Sequence, residues 1–261
     1  MKYLTGFHSI EERIIALLKD SKNQSKESGK YKIFYSKPGP RIKKILEEAK
    51  KTGITSEQVS NQKLDEICLS LQESLRDHRG IVMSVSGEDN KAQHLVNFDS
   101  WLLENSSKQK STVVILDKVT DPHNVGAIIR SCDQFGADLI ILPEHNSASN
   151  ISDNEIIGRT SAGASAWVNA AVVNNLVRVT EQLKANNYWI YGADAGGESC
   201  CNIEFAEKSV IIMGSEGKGI SPLLRKQCDC IVSIPTCGKI DSLNVSVATG
   251  VLLYELYKRN K

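Results

Sequence analysis

Four short, almost wholly apolar runs in the second half of the chain limit its fold more than any other feature. They are Val113–Leu116, Leu139–Leu142, Trp189–Tyr191 and Val210–Met213, with a weaker fifth at Ile231–Ile234. Each is too short for a helix and lacks alternation of apolar and polar side chains, so both faces need covering. Between them, helical spacing recurs at about residues 125–135, 174–186 and 244–258. Short buried strands alternating with helices predict a parallel sheet with helices on both sides. Ligands of such open sheets bind beyond the carboxyl ends of the strands. The segments that follow the apolar runs are therefore where function is sought.

The first half has a different rhythm. Ser9 and Glu12 have capping-box spacing ahead of Ile14, Leu17 and Leu18, which predicts a helix starting there. Residues 21–30 are polar and read as a flexible loop. Tyr31–Tyr35 alternates as a strand, Pro38-Gly39-Pro40 ends it, and Arg41–Lys51 has helical spacing through Ile42, Ile45 and Leu46. A second helical pattern (Leu64, Ile67, Cys68, Leu71) precedes a strand at Ile81–Val85. The expectation is a small α/β domain over residues 1–88 and a connector over 89–111 with a short helix around Trp101–Leu103. A parallel-sheet domain then spans 112–261.

Charge separates the same two parts. Residues 1–60 hold 13 Lys and Arg against 7 Asp and Glu, although the whole chain nets only +1. A basic front end suits a polyanion, with Lys22, Lys26, Lys43 and Lys44 as candidate contacts. It equally suits a solvated lysine-rich face, and charge alone does not choose. No apolar run approaches the length of a membrane span, and Glu11, Glu12 and Arg13 interrupt any signal-peptide core. The cysteine count of 7 is odd, and Cys200-Cys201, Cys228-x-Cys230 and Cys237 do not have the register of a zinc site. Buried thiols in a reducing, cytoplasmic compartment, with no bound metal, are expected.

Three segments after apolar runs carry the chemistry. The first, Asp121–Ser131, reads DPHNVGAIIRS, with Asn124 placed as a helix N-cap and Arg130 on the helix that follows. The second, Gly214–Gly219, is rich in glycine but is neither a dinucleotide fingerprint nor a phosphate-binding P-loop. A nucleotide-dependent oxidoreductase would need such a fingerprint after the first strand, and Asp117–Arg130 does not supply one. The third segment runs from Ile234 to Ala248, where Ser242 and Asn244 open an apolar helix. Taken singly, each is explained by capping or tight turns.

In this order, DPHNVGAIIRS, IIMGSEGKGI and SLNVSVATG resemble the three motifs of the SpoU/TrmH family of RNA ribose methyltransferases, part of the SPOUT superfamily. The resemblance covers roughly residues 111–261. YLTGFHSIEERI and HRGIVMSV, from His78, are similar to the start and end of the small RNA substrate-binding domain many members carry in front. The resemblance implies a C-terminal trefoil knot, rare among proteins, and a homodimer with sites at the subunit interface. It implies S-adenosylmethionine as methyl donor, held by Gly214, Ile234 and Leu243, and RNA as substrate. The subgroup it is closest to modifies a guanosine of 23S ribosomal RNA. Transfer RNA is the alternative target, and a non-catalytic RNA-binding relative would lack Arg130 or Asn124, which are both present.

By the same resemblance, Arg130, Asn124, Glu216, Ser242 and Asn244 form the catalytic set. A ribose hydroxyl needs positioning and stabilisation of the charge that grows on its oxygen. The family resemblance implies Arg130 as general base, but a free guanidinium keeps its proton to above about pH 12. An electrostatic clamp on the 2′-oxygen and adjacent phosphate is the role read here for Arg130. Glu216 is expected to orient Arg130 through a charge-assisted pair. Asn124 is expected to bond the donor or the ribose, while Ser242 and Asn244 line the substrate side. His123 is read as a packing or RNA contact.

Overall fold

The computed structural model describes residues 2–19, 28–71, 76–86, 95–151, 154–239 and 242–259. Lys22 and Lys26, most of the polar 21–30 stretch, residues 89–94 of the connector, and Ile240-Asp241 lie outside the described residues.

The front part consists of β1 (Lys2–Thr5), α1 (Phe7–Lys19), β2 (Tyr31–Tyr35), α2 (Pro40–Lys51), β3 (Thr55–Gln58), α3 (Asn61–Cys68) and β4 (Ile81–Val85). Its strands form a four-stranded sheet in the order β1-β4-β2-β3. The expected capping box is not used: α1 begins at Phe7, after a left-handed Gly6, so Ser9 lies inside the helix. Strand β3 reads TSEQ and all four residues are exposed, so no apolar alternation marks it. Strand β1 is only four residues long and is drawn into the sheet by antiparallel pairing with the buried β4.

The second part continues with α4 (Phe98–Asn105), β5 (Ser111–Asp117), α5 (Pro122–Phe135), β6 (Leu139–Pro143), α6 (Glu155–Thr160) and β7 (Ala170–Val173). It ends with α7 (Leu176–Ala185), β8 (Trp189–Ser199), β9 (Lys208–Gly214), α8 (Pro222–Arg225), β10 (Cys230–Ser233) and α9 (Val245–Arg259). All six strands run parallel in the order β10-β8-β9-β5-β6-β7.

The apolar runs are continuous because alternate residues serve two cores. Val114, Leu116, Ile140, Leu142, Ile211 and Met213 face one side, packed with residues of α5 and α9. Val113, Ile115, Leu139, Ile141, Val210 and Ile212 face the other, packed with residues of α4 and α7. Helix α9 follows the edge strand β10 yet returns to α5, where the Phe135 and Tyr254 rings meet edge-on at 5.8 Å. That return is consistent with the C-terminal threading the resemblance implies.

The two parts are packed together. Ile156 of α6 enters the apolar cluster of Leu64, Cys68, Leu71 and Val82. Gly163 (φ 92°) lets α1 approach so closely that a Cβ there would lie 2.5 Å from that of Glu12. Among the described residues no helix is long and apolar enough to cross a membrane.

Candidate functional site

Parallel pairing sets Asp117 opposite Gly214, so the first and second segments leave neighbouring strands at the same level. The buried Asp117 carboxylate then accepts the Ser221 N–H at 2.6 Å, tying the far side of the glycine loop to the end of β5. Motif reasoning does not single out Asp117, although an acid that ends a run of buried aliphatics is a signal for such a bond. Within the loop, Ser215 and Gly219 exchange backbone hydrogen bonds (3.2 and 2.9 Å), and Gly217 and Gly219 hold left-handed φ of 83° and 64°. The loop closes on Gly214 so tightly that a Cβ there would come within 2.1 Å of the Gly219 carbonyl carbon.

The three segments meet in one side-chain network. Asn124, buried in the first turn of α5, donates from Nδ2 to Glu216 Oε1 at 2.8 Å. Asn244 Nδ2 donates to Asn124 Oδ1 at 3.0 Å and to the same Glu216 oxygen at 3.2 Å. A carboxylate only accepts, so Glu216 dictates the orientation of both amides. Asn244 Oδ1, turned the other way, caps α9 by accepting from Ser246 N at 2.9 Å and Ser246 Oγ at 2.6 Å. One asparagine thus starts a helix and joins segments 28 and 120 positions away in the chain.

Two expectations are corrected here. Asn124 is not the N-cap of α5; Asp121 is, accepting the His123 N–H at 2.9 Å, because Pro122 occupies the first helical position. Nor does Glu216 engage Arg130: its partners are the two amides. Arg130 lies six residues beyond Asn124 on α5, about 1.7 turns, so it projects from a different face and is exposed. It does not line the cleft formed by its own chain. His123 is also exposed.

That cleft, of about 960 Å³, opens beyond the strand ends and is lined by Gly214, Glu216, Ile234, Ser242, Leu243 and Asn244 among others. It contains every donor-binding candidate and three of the five catalytic ones. Met213, Val245 and Leu252 supply further apolar wall, while Asp194 and Thr236 are polar. Asp194 is held by the Arg225 guanidinium and the Gly196 N–H. It comes from the part of β8 where the register with β10 shifts, a position no sequence signal marks. Apolar walls suit an adenine ring and the polar rim suits a ribose and an amino acid, so the residues present fit S-adenosylmethionine. The missing side chain at Gly214 is what lets the 215–219 turn close against β9 at the cleft wall.

The cysteines are spread across these elements. Burial pushes the Cys132 thiol up to about 12 and that of Cys228 up to about 11, so both stay protonated. Cys200 is buried as well, but Cys201 and Cys237 are exposed, so the expectation of buried thiols fails at those two positions, which lie outside the packed faces of the sheet. Among the described residues no group of three or more His, Cys, Asp or Glu side chains is arranged to hold a metal.

Comparison with known proteins places this geometry. The profile of the SpoU rRNA Methylase family matches residues 111–254. An uncharacterized tRNA/rRNA methyltransferase of Borreliella burgdorferi is 36% identical over 230 residues, covering 87% of this chain and 97% of that protein. The 23S rRNA (guanosine-2′-O-)-methyltransferase RlmB of Shewanella oneidensis is 34% identical over 259 residues, 98% of this chain and 96% of that protein. The fold is shared with the SpoU methyltransferase AviRb of Streptomyces viridochromogenes, crystallised with AdoMet. The TM-score is 0.66 at 21% identity, over 99% of this chain and 89% of that one.

Proposed function

The chain belongs to the SpoU methylase family and is an S-adenosylmethionine-dependent RNA ribose methyltransferase; on that premise we propose that it methylates a guanosine 2′-hydroxyl of 23S ribosomal RNA. One observation carries the rRNA reading: similarity to the Shewanella enzyme runs through the front part as well as the catalytic half, over 98% of the chain. Residues 1–88 act in this reading as the RNA-binding module and 112–261 as the transferase.

S-adenosylmethionine supplies a methyl group already activated by its sulfonium. The protein supplies placement. Gly214, Ile234 and Leu243 hold the donor in the cleft, and the Asn124–Glu216–Asn244 network fixes the three segments before RNA arrives. Ser242, exposed at the rim, faces the incoming ribose. Arg130 stabilises the charge growing on the 2′-oxygen.

Because Arg130 projects away from its own cleft, we propose that it serves the cleft of a second copy. The partner face is the outward stripe of α9, where Val247 and Tyr254 are 51% and 49% exposed and lie two turns apart on one side. Val247→Glu would bury an unpaired carboxylate in that face and should weaken the dimer by about 30-fold or more. Light scattering across a dilution series measures this; an unchanged dimer would place the interface elsewhere.

Target identity is tested by mass-spectrometric mapping of ribose methylation in rRNA and tRNA with and without the gene. Loss of one 2′-O-methylguanosine from 23S rRNA is expected. Loss confined to tRNA would move the substrate to that class.

A further inference from the structure

The HRG sequence at residues 78–80 takes no part in the cleft, yet it forms one wall of a second depression. Where the end of β2, helix α3 and the approach to β4 meet, a polar hollow of about 500 Å³ is lined by Lys37, Asp65, Arg76, Asp77, His78 and Arg79 among others. We propose that this hollow binds a phosphodiester of the RNA backbone and is the anchor by which the front domain holds its substrate. The proposal rests on the RNA methyltransferase reading and adds a site to it.

The construction of the hollow points to an anion. His78 to Ile81 forms a turn closed by the Ile81 N–H on the His78 carbonyl at 3.0 Å, with Arg79 and Gly80 both left-handed at φ 50° and 83°. Glycine suits position 80, where φ of 83° strains any side chain and a Cβ would lie 3.2 Å from Ser36 Oγ. Arginine has no such steric reason at 79, where its Nε donates to the Asp77 carboxylate and the rest of the guanidinium faces the hollow. Asn, Asp or Gly are the usual occupants of that conformation, so an arginine there carries backbone strain of the kind that accumulates at functional sites.

The other cations are positioned without being neutralised. Arg76 donates from Nε to the Leu71 carbonyl at 3.0 Å and from Nη2 to the Leu69 carbonyl at 3.3 Å. Its partners are neutral, so the guanidinium is oriented with its charge intact. Two carboxylates, Asp65 and Asp77, line the hollow against the three cations Lys37, Arg76 and Arg79, and each already accepts a hydrogen bond there. Asp65 accepts from His78 Nε2 at 3.1 Å, the tautomer being set by the Gly80 N–H on Nδ1 at 2.9 Å. Asp77 is drawn to Arg79 at 3.1 Å and to Arg159 at 3.6 Å. Lys37 stands exposed at the rim. The lining has no Phe, Tyr or Trp for a base to stack on, which favours backbone over base recognition.

Of the lysines that the basic front end offers as RNA contacts, Lys43 and Lys44 are exposed on α2, but neither lines this hollow.

The test uses the full-length enzyme with Lys37→Ala and Arg79→Gly combined. Glycine at 79 keeps the left-handed turn and relieves its strain, so a folding defect is not expected. Affinity for an rRNA fragment should fall about tenfold, and the slope of log affinity against log salt should shrink by about 1 to 2. S-adenosylmethionine affinity should stay unchanged. RNA affinity and salt slope equal to those of the wild type would overturn the proposal. Failure of the wild type to bind or methylate RNA would instead overturn the reading on which it rests.

Discussion

Arg130→Ala should slow methyl transfer by about 100-fold or more, the effect of removing a transition-state charge partner, while fold and donor affinity stay near wild type. The side chain is exposed on α5 and lines no part of its own chain's cleft, so truncation leaves neither a cavity nor an unpaired buried group. Arg130→Lys keeps a positive charge but loses the planar fork, and should recover little of the rate. Single-turnover transfer of labelled methyl to native RNA separates this from binding. A further arm uses the proposed dimer. Mixing Arg130→Ala with a protein whose cleft is disabled by Glu216→Ala should restore partial activity, because one hybrid site then has an intact cleft and an intact arginine. Near wild-type rates for the alanine variant would remove Arg130 from the chemistry. A slow variant without restoration in the mixture would confine Arg130 to its own subunit.

Gly214→Ala should be nearly as severe, but through the donor. A Cβ at 214 would lie 2.1 Å from the Gly219 carbonyl carbon and 2.3 Å from Ile220 N. Those are backbone atoms, held by the Ser215–Gly219 pair and by Asp117 on Ser221, so the loop has no side chain to swing aside. The 215–219 turn must move outward, deforming the cleft wall and dragging Glu216 from its two amides. A loss of about 2–3 kcal/mol in folding stability is expected from such overpacking. Calorimetric affinity for S-adenosylmethionine should fall by about 100-fold, roughly 2.7 kcal/mol. Wild-type affinity in a folded variant would show that the loop does not shape the donor site.

Part of this site is legible in the order of amino acids, and the parts that mislead do so for physical reasons. Val113–Leu116 and Val210–Met213 identify buried strands because both of their faces are covered, and burial on both faces leaves an unbroken apolar run. β3 escapes because an edge strand does not need that pattern, and all four of its residues are exposed. Asn124 has the composition of a cap, yet Pro122 points to Asp121, since proline favours the first helical position. The pairing of Glu216 with Arg130 follows from charge alone. Helix periodicity argues against it, because residues six apart do not share a face and Asn124 already occupies the side that meets Glu216.

Which residues are buried, which segments follow strand ends and which glycines lie in tight turns are local properties, and the order of amino acids encodes them directly. The same order, through its three motifs, carries the family and hence the chemistry. The joining of Asn124, Glu216 and Asn244 is of another kind. These residues are 92, 28 and 120 positions apart, and bonds of about 3 Å between them depend on β9 lying beside β5 and on α9 returning to α5. Strand order and helix return are set by how whole layers pack, which no periodicity in a short window expresses. The direction of Arg130 and the assembly of Lys37, Arg76 and Arg79 around one hollow are decided at that level too.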